Sequence, residues 1–189
     1  MTIYATSKVV HAALKRAFSP WFTANGWKRR PGYSCAFIRP AGPGYWCLWF
    51  QVSSWGGQLS GSSFTLNLVH QESAESSLCG GPNARVLRTL SAAEIELGFS
   101  IATELAKRIP EPAASDPVHE WAKLPDYQGE MWRKRIADLQ TVNPDAWKPD
   151  VDVWLPYYAV ADLDLWVGFL LPRFPHLLRQ SQGQDFTAQ

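Results

Sequence analysis

The chain has 189 residues, 46% hydrophobic and 19% charged, a balance that excludes a disordered chain and suits one ordinary domain. Three cysteines (Cys35, Cys47, Cys79) are too few and too unevenly spaced for a disulfide framework. Net charge is +1, yet residues 1–71 hold Lys8, Lys15, Arg16, Lys28, Arg29, Arg30 and Arg39 with no acid, while residues 111–189 hold twelve acids against seven bases. Either the halves neutralise each other within one fold, or the basic half serves an anionic partner.

Near the start, Lys8, His11, Lys15 and Arg16 interrupt any apolar leader. The most apolar run, 165–171, is far short of the ~20 residues a bilayer requires. No membrane association and a cytoplasmic location are therefore expected. Aromatics are abundant, with 10 Trp, 9 Phe and 6 Tyr; most should fill the core, but a few such rings can anchor an interface.

Apolar residues Val10, Ala13, Leu14, Ala17, Phe18 and Trp21 recur at three- and four-residue steps, predicting a helix over 7–22 that Gly26 terminates. The period then changes to two. Strands are predicted over 33–39, 45–54 and 63–70, with a turn at 40–44 between the first two. The segment 71–90 reads as loop. Ser91 and Glu94 form a capping box for a helix through Leu105, closed by Lys107, Arg108 and Pro110. A Pro/Ala-rich connector follows, with its candidate linker near 110–117. Another helix is predicted over 126–139 on Met131, Trp132, Ile136 and Leu139. The stretch 141–156 is irregular. A last long helix is expected over 162–171, capped by the Asp162 carboxylate, with one more turn at 175–180 and a frayed tail from Ser181.

Alternation fixes the faces. Trp46, Leu48, Phe50 and Val52 share one side of the second strand, and Phe64, Leu66 and Leu68 share one side of the third. Cys47, Trp49, Gln51 and Ser53 oppose the first set; Ser63, Thr65, Asn67 and Val69 oppose the second. One greasy and one mixed face imply a sheet covered by helices on one side. The expected fold class is α+β: a single domain over 1–189, built on an antiparallel meander of three to five strands with helices on its Trp46/Phe50/Leu66 face.

Gly26-Trp27-Lys28-Arg29-Arg30 after a helix, Phe37-Ile38-Arg39, Phe50-Gln51-Val52-Ser53 and Phe64-Thr65-Leu66-Asn67-Leu68 follow one another in order. In these motifs the chain resembles a bacterial family catalogued as a domain of unknown function, number four-three-zero-four. The resemblance is best up to about His70 and holds only in outline for the C-terminal helices, whose Trp-rich sequence departs from the family. It implies an α+β fold and no particular activity.

Catalytic and metal templates fail one by one. His70-x-Glu72 lacks the Pro-Cys-x-x-Cys of the zinc deaminases, and His119-Glu120 lacks a second His at the zincin spacing. No P-loop, Rossmann fingerprint or G-x-S-x-G elbow occurs. A thiol in the Cys79-Gly80-Gly81 loop reads as an ordinary turn. Asp150-x-Asp152 has too few oxygen ligands for a hard cation. Neither cofactor nor metal is expected.

Two constellations remain as binding candidates. One is Trp27 beside Lys28, Arg29 and Arg30 at a helix-to-strand junction, suited to phosphate or carboxylate, or else a solvated turn guarding an edge strand. The other is the pair Gln51 and Asn67, flanked by Trp49 and Thr65, which can form a structural ladder or line a groove. An exposed acidic and aromatic patch from Trp147, Asp150, Asp152, Trp154, Tyr157 and Tyr158 would mark a protein-binding surface. The expected function is binding through a protein partner, as an antitoxin-like immunity protein or an adaptor. The alternatives are a nucleic-acid or nucleotide binder using the basic half, and an enzyme of unrecognised type.

Overall fold

The structure is a computed structural model that describes residues 4–54, 61–78, 84–109, 123–139 and 141–182. Helix α1 (Ser7–Ala24) turns its Val10, Leu14, Phe18 and Phe22 stripe inward, as the i, i+4 spacing requires. Gly26, at φ +78°, turns the chain out of the helix. Six strands follow in one antiparallel sheet: β1 (Lys28–Arg29), β2 (Ala36–Ala41), β3 (Gly44–Val52), β4 (Ser62–Gln71), β5 (Ala84–Arg85) and β6 (Leu155–Tyr157).

The order β1-β2-β3-β4-β5 is a meander, and β6 joins β4 beside β5. Strands β2 and β3 pair from Ala36 with Trp49 to Ala41 with Gly44. Pro40 and Ala41 thus belong to a strand, and the turn shrinks to Gly42-Pro43, with Gly42 at φ +57°. Strand β2 starts three residues later than the alternation predicts. Residues 31–35 form turns instead, and Pro31 and Gly32 explain why: both punctuate a strand pattern. The count rises to six because β1, β5 and β6 are only two or three residues long, too short to show a period.

Among the described residues, helices α2 (Ala92–Ala106), α3 (Tyr127–Leu139), α4 (Asp162–Leu170) and α5 (Phe174–Gln182) follow. The capping box forms in both directions: Ser91 N–H donates to Glu94 Oε2 at 2.9 Å, and Glu94 N–H to Ser91 Oγ at 3.4 Å. Asp162, by contrast, does not cap α4. Its Oδ2 accepts from the backbone N–H groups of Tyr158 and Ala159, holding the turn before the helix. The extra turn at 175–180 is a nine-residue helix. Ser181 is buried within it, donating to the Leu177 carbonyl, so the chain is not frayed there. The linker near 110–117, His119, Glu120 and Cys79 lie outside the described residues, as does the side-chain packing expected of Trp132, Ile136 and Leu139. No described helix is long and apolar enough to cross a membrane.

Helices and greasy strand face meet in one core running from Ala5 to Leu178. Phe22 stacks on Phe37 at 4.2 Å and Phe18 on Phe50 at 5.0 Å, while Phe174 of α5 meets Phe18 edge-on at 5.1 Å. Such ring pairs each add ~0.5–1.5 kcal/mol to what area burial supplies. Phe50, Leu66 and Leu68 all point into this core, so the alternation assigned the faces correctly. The opposite face, called the back face below, has its own small cluster of Ala36, Cys47, Val69 and Leu78, with Tyr33, Ile38 and Trp49 partly buried around it.

Candidate functional site on the back face of the sheet

Strand register builds the site. Trp49 on β3 stands opposite Asn67 on β4, and Asn67 stands opposite Arg85 on β5. Because side chains alternate, all three project from the back face as one row across the sheet. Gln51, two residues along β3, reaches the row diagonally. Asn67 Nδ2 donates to Gln51 Oε1 at 3.0 Å, and Arg85 Nη1 donates to Gln51 Oε1 at 2.8 Å and to Asn67 Oδ1 at 2.6 Å.

The chain after α3 closes the row from above. Asp152 receives Arg85 Nε at 3.3 Å on one oxygen and Arg88 Nε at 2.5 Å on the other. Thr65 Oγ1 donates to the Val153 carbonyl at 3.0 Å, tying the same segment to β4. The Trp154 ring lies 5.7 Å from the Arg85 guanidinium, a cation–π distance. Next to this network is an open hollow of about 380 Å³ lined by Gln51, Ser53, Ser54, Ser63 and Trp154. Asn67 is 1% exposed, and both its side-chain nitrogen and its oxygen have a partner, as a buried amide should. Arg85 keeps Nη2 uncommitted among the described residues, so the network can still donate outward. Its groups already hold one another in place, which suits recognition more than proton transfer.

The sequence thus anticipated Gln51 and Asn67 flanked by Trp49 as one set, and Asp152 with Trp154 in another, and the fold gathers all five. It missed Arg85 and Arg88, which fall in a segment read as loop. Their signal was the R-x-x-R spacing. A three-residue step in the 3-10 turn Val86–Thr89 puts both guanidinium groups on one side, where both grip Asp152. Asp150 lies apart, exposed and at φ +66°. Of the Asp150-x-Asp152 carboxylates, that of Asp152 is bound by two arginines. Among the described residues no group of three or more His, Cys, Asp or Glu could hold a metal.

The expected exposed aromatic patch does not form. Trp147 is buried against α2 and stacks on Trp166 at 6.0 Å, and Tyr157 and Tyr158 are buried as well. Each fills core volume beside strand β6 or the helices, leaving only Trp154 of those rings half-exposed.

The basic junction also divides. Trp27 is a core residue, packed edge-on against Phe22 at 5.6 Å with Arg39 over its ring at 4.9 Å. Lys28 and Arg29 are exposed on the edge strand β1. Arg30 is 4% exposed, contrary to a solvated cluster. Alternation along β1 swings it under the back face, where Nη1 donates to Gln71 Oε1 at 2.8 Å and approaches Cys47 Sγ at 2.9 Å. Nη2 donates to the Ser76 carbonyl, and the group lies 4.8 Å from the Tyr33 ring. Burial raises the Cys47 thiol, partly offset by Arg30.

No family model, curated protein or solved structure matches the chain.

Proposed function

We propose that this chain is a binding protein, an antitoxin-like immunity protein or an adaptor, that works through a protein partner docked on the back face. The supporting observation is the locked Arg85–Gln51–Asn67–Asp152 network set between the half-buried rings of Trp49 and Trp154. Trp and Arg are the residues most often responsible for binding energy at protein interfaces. Polar groups already fixed in place lose little entropy when a partner arrives. The resemblance to the four-three-zero-four family is read as kinship, which supplies a fold and leaves the partner to this face.

The test is site-specific photo-cross-linking in the cells that make the protein. A benzophenone side chain at position 154 should give one discrete protein adduct, and the same probe at exposed Tyr127 should not. The adduct should vanish when Trp49→Ala is added. Absence of any adduct at 154, or identical adducts from both positions, would overturn the proposal.

A further inference from the structure

Ion pairing follows an uneven pattern. The pairs between described residues all join positions 85 to 176: Arg85 and Arg88 with Asp152, Lys107 with Glu104, Arg108 with Asp162, Lys148 with Asp145, and Arg173 and His176 with Glu94. Lys8, Lys15, Arg16, Lys28, Arg29, Arg30 and Arg39 enter none of them. Among the described residues, then, no acid of the second half forms an ion pair with a cation of the first. Arg30 and Arg39 are occupied by buried acceptors and by the Trp27 ring. The other five remain.

Three of those five lie on α1 and two on β1, an element packed against it. A seven-residue step places Lys8 and Lys15 two turns apart on one flank of α1, and Arg16 points away from the Val10–Phe22 stripe. Arg29 of β1 stands opposite Phe37, whose ring stacks on Phe22 of α1, and burial raises the Cys35 thiol to about 12 even with Lys15 and Arg29 pulling it down. Lys28 carries the charge round the edge of the sheet toward the back face. His11, on the same flank, adds nothing at pH 7, because burial holds it below its usual value of 6.5.

We propose that the outer flank of α1 and strand β1 form a docking surface for an acidic region of a protein. Among the described residues these five cations enter no ion pair and none lies over an aromatic ring, so the surface lacks the stacking platform a single-stranded nucleic acid uses. The whole chain carries only +1, with pI ≈ 7.7, short of the basicity typical of nucleic-acid binders. A local cationic patch on a near-neutral protein steers one acidic partner without gathering polyanions at large. The inference takes the protein-partner reading as given but uses a different surface, so either can fail without the other.

The test is fluorescence anisotropy with a labelled poly-L-glutamate of about 20 residues and a 20-base-pair DNA duplex as competing probes. Wild type should bind poly-glutamate at 50 mM salt, and more weakly at 200 mM. The variant K8E/K15E/R16E/R29E should lose about tenfold or more in affinity. A charge-matched control, K107E/K134E/K148E/R179E, should stay within about twofold, with thermal melting confirming that both fold. No binding by wild type, or equal loss in the two variants, would overturn the proposal. Tighter binding to the duplex than to poly-glutamate would replace it with a nucleic-acid surface. A lost poly-glutamate signal with an intact cross-link at position 154 would remove this surface and leave the back-face reading standing.

Discussion

Gly98 of α2 meets the edge of the Trp147 ring: a Cβ at position 98 would fall well inside contact distance of Cζ3, 3.2 Å from Cη2 and 3.4 Å from Cε3. The ring cannot easily withdraw, because it stacks on Trp166 at 6.0 Å and meets Phe99 edge-on at 6.4 Å.

Helix propensity alone favours Gly98→Ala by about 1 kcal/mol. Overpacking should reverse that sign, with a net loss of about 1–2 kcal/mol. Urea unfolding decides; a stabilised variant would show that the Trp147 ring moves freely.

Arg85→Ala should cost about 1–3 kcal/mol, since it strands the buried Asn67 Oδ1 and removes one of the two donors to Gln51 Oε1 and half of the Asp152 contact. Arg85→Lys should recover little of the loss. A single ammonium cannot place one nitrogen on the two amides and another on Asp152. Equilibrium denaturation of the two variants, side by side, tests whether fork geometry or charge alone matters.

The Glu94 carboxyl links α2 to α5 and gives the fold an acid-sensitive contact. Burial pushes it up, but the bonds from Ser91 and the charges of His176 and Arg173 together outweigh burial and hold it below its usual 4.5. A carboxyl depressed in the folded state stabilises above its unfolded value and loses that contribution as pH falls through the folded value. Melting temperature should therefore drop more steeply below about pH 4.5 in wild type than in Glu94→Gln. At pH 7 the substitution should cost about 1 kcal/mol, from the lost ion pair with Arg173, because the Gln amide oxygen can keep the capping box.

Cys35 and Cys47 are buried, and burial raises both thiols, Cys35 to about 12. In a Cys79→Ser background, neither should react with Ellman's reagent at pH 8 faster than the protein opens. Titration in urea should then release two thiols. A fast native reaction would contradict the packing of strands β2 and β3.

What the sequence made legible was whatever repeats or pairs locally. Alternation along β3 and β4 assigned the two faces, and Ser91 with Glu94 marked a helix start that forms as read. What it hid depends on long-range register. Arg30 looks solvated in a Lys-Arg-Arg run, and only pairing of β1 with β2 turns it beneath Tyr33 and Gln71. Arg85 looks like loop until β5 is seen opposite Asn67. Leu155, Pro156 and Tyr157 carry no strand period of their own and become a strand by meeting Ser62, Ser63 and Phe64.

The meeting of Phe174 with Phe18, Trp21 and Phe22 has a consequence for how the protein is made. The first helix emerges from the ribosome long before the last, carrying rings whose cover has not yet been synthesised. The hairpin of β2 and β3 can shield Phe18 and Phe22 in part, through Phe50 and Phe37, but Trp21 waits for α5. A nascent chain stalled before residue 174 should thus expose a sticky aromatic edge on α1, beside the cations of its outer flank. Chaperones that favour aromatic segments flanked by basic residues would find it there, and release of the finished chain would withdraw it.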